Sequence, residues 1–156
     1  MVSPLILTGS IGPRLFLNIS GNVGPGSPNR PDDVQLVQLG YASLLLSPQA
    51  QGQLNQAERQ AFAAVTPGAP YFGAPDDPLT LSIRAHEASR GGTQDGVVSV
   101  ARAASYDGGK HTFIMIPLNN AIRDVMVRDF PRVDKHPQCP AALRVSVLLI
   151  LLGGVG

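Results

Sequence analysis

Three histidines (His86, His111, His136), one cysteine (Cys139) and two glutamates (Glu58, Glu87) are the residues best suited to chemistry in this chain. His136 and Cys139 are separated by two residues, a spacing that can place both on one metal ion. Two ligands make no site, and the further candidates His86, His111 and Asp134 fall in other elements. The simpler reading is that His136-Pro137-Gln138-Cys139-Pro140 is a rigid turn holding a small buried thiol. As a nucleophile Cys139 needs a base and an electropositive setting; His111 or His136 would have to serve, and nothing local supplies the setting. Glu87 and Asp95, flanking Gly91-Gly92, are the best carboxylate couple. Glycosidase chemistry needs such a pair to face each other across a cleft, whereas Asp95-Gly96 reads more simply as a turn. Gly24-Pro25-Gly26 is a glycine-loop fragment without its lysine, and no GxSxG or HExxH motif is present. The expectation is a non-enzyme with no metal and no cofactor.

Punctuation by Pro and Gly divides the chain into three zones of one domain, residues 1–28, 29–130 and 131–156. In the first, Leu5–Leu7 and Leu15–Ile19 read as short β segments between glycine turns. In the second, Pro31 suits a first helical position, with Asn29 or Arg30 as the cap and Asp32 and Asp33 in the first turn. Val34, Val37, Tyr41 and Leu44 recur at helical spacing until Ser47-Pro48. Asn55 followed by Glu58 is a capping pair opening a helix to Val65, with Phe62 on its buried side. Residues 66–75 are a loop, and Asp77-Pro78 opens a third helix to about Ser89. Val97–Ala103 and Thr112–Ile116 read as strands around an Asp107-Gly108-Gly109 hairpin turn, with Pro117 ending the second. Ala121–Phe130 shows helical spacing, and Leu143–Leu152 reads as a final strand.

Charge is scarce. Asp, Glu, Lys and Arg make up 15% of the 156 residues, hydrophobic types 44%, and the net charge is +1. There is no basic stripe to neutralise phosphates, which argues against nucleic acid as a partner. With a single cysteine no internal disulfide can form. Leu5–Leu7 is too short for a leader's apolar core, and Val145–Leu152 falls well below the ~20 residues a membrane span needs. Arg outnumbers Lys, which occurs only as Lys110 and Lys135; this is a composition suited to protein interfaces and equally one that a GC-rich genome produces.

The stretch Asn22 to Gln38 carries the most specific pattern. Its glycine turn followed by Asn29…Asp33-Val34-x-x-Val37-Gln38 resembles the opening of peptidoglycan-binding-like domains. Leu79–Glu87 sits where that family has a further helix, and Gln94–Val98 looks like its Asp-Gly turn. Gly109–Thr112 and Leu118-Asn119 resemble its closing segments, so the likeness covers about residues 23–122. It departs at His86-Glu87, where the family has Phe-Gln, and at Ser99–Arg102. The resemblance implies an α+β chain with a small helical core, flanked by β strands and a β hairpin. It also implies Asn29, Asp33, Gln38, Arg84 and Asp95 as the polar positions that would meet a ligand.

Two functions are expected from these features. One is a non-catalytic structural or interaction module in a multi-chain assembly, such as a phage or phage-tail-like particle. Its partners would be copies of itself or assembly neighbours. The other is a stand-alone peptidoglycan-binding or cell-wall-processing accessory protein. The absence of Trp and the presence of only three Tyr leave few surfaces for sugar stacking, which favours the first. Leu5–Leu7 and Val145–Leu152, apolar on successive residues, are expected to be covered on both faces, with another chain supplying part of the cover.

Overall fold

A computed structural model describes residues 1–102, 105–108 and 112–152. It shows a small α+β fold. Strands β1 (Ser3–Leu7) and β2 (Arg14–Asn18) form an antiparallel hairpin in which Leu5 lies opposite Phe16. Six helices follow among the described residues: α1 (Pro31–Leu46), α2 (Pro48–Gln51), α3 (Gln56–Ala63), α4 (Pro78–Arg90), α5 (Met115–Val125) and α6 (Ala141–Leu151).

Helix α1 is the centre of the molecule, packed against α3, α5 and α6. A helix surrounded in this way has to be apolar around most of its girth. Leu36, Val37, Leu39 and Tyr41 are all fully buried. Val34, Val37, Leu44, Phe62 and Ile83 meet in one core, as their spacing predicts. Gly40 lets α5 approach: a Cβ there would lie 2.7 Å from Leu118 Cβ.

The start signals act as predicted. Asn55 and Glu58 form a reciprocal capping box on α3. Asp77 accepts from the Leu79 amide at 2.8 Å to open α4, and Gly91, in the left-handed region, closes it. At α1, Arg30 occupies the cap position without a side-chain bond, behind Pro31.

Five expectations are corrected. Leu143–Leu152 is not a strand: Ala141–Leu151 is helix α6, with Leu143 and Val147 turned inward. Its cap comes from a distant residue, since Gln35 Oε1 accepts from the Leu143 amide at 2.8 Å. Thr112–Ile116 is not a strand: α5 begins at Met115, and Pro117 sits in its first turn, where the missing amide hydrogen has no helical partner to lose. The helix read over Ala121–Phe130 ends at Val125, and residues 126–130 turn. Residues 97–102 make only an isolated bridge, Val23 to Val98, rather than a strand. Ala103, Gly109, Lys110 and His111 lie outside the described residues, and with them part of the expected hairpin. β1 is covered on one face only, because Ile6 is 61% exposed.

The outer side of β2 is closed by side chains. Asn119 accepts from the Leu17 amide at 2.7 Å and donates to the Leu17 carbonyl at 2.8 Å. Asn18 makes the same two-point contact with Ala101, at 3.0 and 2.8 Å. Both asparagines mimic the ladder bonds of a neighbouring strand.

Candidate functional site

The five polar positions implied by the family resemblance separate into two groups. Asn29, Asp33 and Gln38 lie along the start of α1 and just before it, and each fastens a loop. Asn29, at a positive φ of 50°, accepts from the Gly24 amide at 2.8 Å and donates to the Gly24 and Ser27 carbonyls. Asp33 is fully buried and accepts from the Ser20 amide, the Ser20 hydroxyl and the Gly21 amide, at 2.8–3.0 Å. Gln38 donates to the Ala69 carbonyl and accepts from the Gly68 amide, both at 2.9 Å. Such side-chain-to-backbone bonds hold the polypeptide turns that a packed helix leaves unsupported.

Arg84 and Asp95 lie beside the Gly24 turn that Asn29 fastens. The two glycine turns meet here: a Cβ on Gly24 would stand 2.4 Å from the Gly96 carbonyl oxygen. Arg84 packs against Gly96, and its Nε is buried without a hydrogen-bond partner. Asp95 accepts from the Val97 amide at 2.9 Å, so the segment is the turn its sequence suggests.

Glu87 and Asp95 do come together, in direct contact. Glu87, 8% exposed, accepts from the Gly96 amide at 2.8 Å and is hydrogen-bonded to Asp95. Burial, followed by the Asp95 contact, raises the Glu87 carboxyl to about 7; the Gly96 amide and Arg84 act in the opposite direction. Glu87 therefore holds its proton well above the usual carboxylate range. Carboxyls in contact leave no room between them for a sugar bond or an attacking water, so the pair does not have glycosidase geometry. The neighbouring cleft, about 290 Å³, is walled by Arg90, Thr93, Ser99 and Phe113.

His136 and Cys139 form the tight turn expected of them. The Cys139 amide donates to the His136 carbonyl at 3.0 Å, and the Gln138 amide donates to His136 Nδ1 at 3.0 Å. Burial pushes the Cys139 thiol up, away from the reactive thiolate. Among the described residues no group of three potential metal ligands occurs.

Helix α6 presents a row of exposed apolar side chains. Its inner face, Leu143, Ser146 and Val147, is buried. On its outer face Val145, Leu148, Leu149 and Leu152 recur at spacings of three and four and remain exposed, Leu152 to 80%. Beside them lies an apolar groove of about 480 Å³ walled by Met1, Pro31, Ala142, Val145 and Leu149. The Ser146 hydroxyl, buried and without a hydrogen-bond partner among the described residues, also lines this groove. Arg144 is the single charge on the helix and donates to the Cys139 carbonyl at 3.2 Å. No described helix is long and apolar enough to cross a membrane.

Sequence reasoning located α6 as an unusually apolar segment but not its period; it noted Asn119 only as part of a family-like Leu-Asn pair and gave Asn18 no role beyond its β segment. Asparagine followed by a strand break was the available signal for Asn18. Comparison with family models, with curated proteins and with solved structures finds no match for this chain.

Proposed function

We propose that this chain is a non-catalytic interaction module that assembles through the outer face of α6, with a second copy of itself as the partner. The exposed row Val145, Leu148, Leu149 and Leu152 carries the proposal. The spacing is that of a helix–helix seam. Fully burying one such side chain stabilises by about 1.5–3 kcal/mol, and these are partly exposed, so each copy of the row offers a few kcal/mol on contact. A self-complementary face suits a two-fold pair. In an antiparallel pair, Arg144 of each helix lies near the other's C-terminal carbonyls, where positive charge is favoured. A multi-chain particle of the phage or phage-tail-like kind is the setting proposed for this module.

Light scattering on the purified chain tests it. The wild type is expected to run as a dimer or larger species, and Val145→Glu with Leu149→Glu as a monomer with unchanged helical circular dichroism. A wild type that stays monomeric at about 0.5 mM, a concentration at which weak association is populated, overturns the reading. Sedimentation with insoluble peptidoglycan tests the stand-alone wall-binding alternative, for which Asn29, Asp33, Gln38, Arg84 and Asp95 are the positions to vary.

A further inference from the structure

Away from α6, the turn between α1 and α2 joins α3, α4 and α5 around a cavity of about 520 Å³. That size is within the range of small-molecule sites. Its wall is built from buried polar groups with capacity left over. His86 is 7% exposed, and its Nδ1 lies 3.1 Å from the hydroxyl of Tyr41, which is fully buried. The phenol hydrogen has no other acceptor among the described residues, so the hydroxyl donates and Nδ1 accepts. The imidazole hydrogen then resides on Nε2, on the ring edge away from Tyr41, where it has no hydrogen-bond partner among the described residues. Burial and the nearby Arg90 lower His86 to about 4, which keeps the ring neutral at physiological pH.

A carboxylate lines the same cavity. Glu58 is 3% exposed; its oxygens accept from the Asn55 amide at 3.0 Å and the Ser89 hydroxyl at 2.9 Å. Among the described residues no cation lies within ion-pair distance of this carboxylate. A buried carboxylate held only by neutral donors is left short of charge compensation, and here it borders an open cavity. Arg90 lines the same space and also donates to the Thr112 carbonyl. Leu44 and Leu54 supply an apolar wall.

One anion, one cation, a fixed neutral N–H donor and an apolar wall match a zwitterion with a short apolar side chain. We infer that this cavity binds an amino-acid-sized zwitterion, its ammonium on Glu58 and its carboxylate on His86 Nε2–H beside Arg90. The side chain lies against Leu44 and Leu54.

The test is a titration of the full chain with L-leucine, followed by the ring resonances of His86. The expected result is a saturable shift. Leucinamide, which lacks the carboxylate, and 4-methylpentanoate, which lacks the ammonium, are each expected to bind at least tenfold more weakly. Glu58→Gln keeps the acceptor of the capping box and is also expected to weaken leucine at least tenfold. Tyr41→Phe frees the imidazole tautomer and is expected to weaken leucine several-fold without changing the order of the three ligands. The absence of a saturable shift up to about 20 mM leucine, well beyond the range of a specific site, overturns the inference. Equal binding of all three ligands to the wild type overturns it too, whether or not either variant folds.

Discussion

Glu87→Gln separates the proton held at the Glu87–Asp95 contact from the rest of the fold. Glutamine keeps the carbonyl that accepts from the Gly96 amide and places an N–H toward Asp95, as the protonated acid does. The wild-type carboxyl is raised from 4.5 to about 7 on folding. A group raised in the folded state stabilises fully below its unfolded value and loses that contribution as pH climbs through its folded value. At about 1.4 kcal/mol per tenfold the full swing would be about 3 kcal/mol. The carboxyl borders a cleft open to solvent, and screening there reduces the expectation to about 1–2 kcal/mol. His86 runs the other way: lowered from 6.5 to about 4, it stabilises above 6.5 and loses that contribution as pH falls through 4. The two slopes oppose each other between about pH 4.5 and 6.5, so the wild-type profile alone is flattened there. The difference between variant and wild type removes His86. Urea denaturation by circular dichroism is expected to show the two proteins close at about pH 5 and the variant ahead by about 1–2 kcal/mol at about pH 8.5. A difference that does not change with pH would refute the raised Glu87 carboxyl, because a cost of packing alone carries no pH dependence.

The other perturbations act on packing and on the β2 edge. Gly40→Ala drives a Cβ to 2.7 Å from Leu118 Cβ and is expected to cost about 1–3 kcal/mol in denaturant. Gly52→Ala, with nothing within 4 Å and an ordinary helical φ of −70°, is its control and is expected to be neutral or mildly stabilising. Asn119→Ala strands the Leu17 amide and carbonyl, and a loss of about 2–3 kcal/mol is expected in the same assay. Val37→Asp puts an unpaired charge at a fully buried position of α1, and the expected outcome is insoluble chain or loss of the helical circular dichroism signal.

What was legible in the sequence was local. The Asn55–Glu58 box, Asp77-Pro78 and Pro31 mark helix starts with groups a few residues apart, and all three open where their signals stand. Segments whose boundaries are set from a distance were misread. Nothing within Pro140–Leu143 caps α6 with a side chain, because the acceptor is Gln35 on another helix. An apolar run without that information fits a covered strand and an all-round apolar helix equally well. Pro117 reads as a stop only if the helix is taken to begin after it; in the first turn it costs no bond. Asn119 meets the Leu17 backbone at the β2 edge, about a hundred residues away, and Asn18 meets the Ala101 backbone, more than eighty away, a relation no periodicity records.

The same distinction governs the sites. Polar residues at family-like positions can be picked out by type, yet type does not say whether a side chain faces a ligand or a loop. Asn29, Asp33 and Gln38 have their hydrogen bonds committed to the turns at 20–29 and 68–69. Glu58 shows the converse. Its sequence context accounts for one carboxylate oxygen, the one in the capping box, while the other is met by Ser89 from α4 at the margin of the cavity. Helix α6 carries the point furthest. A helix needs one apolar stripe to join a core, and Leu143, Val147 and the buried Ser146 already provide it. The second row, Val145 to Leu152, leaves apolar surface in water. The fold does not account for such a row; the proposed partner does. A variant polar along that row and unchanged inside is therefore expected to keep the fold and lose the assembly.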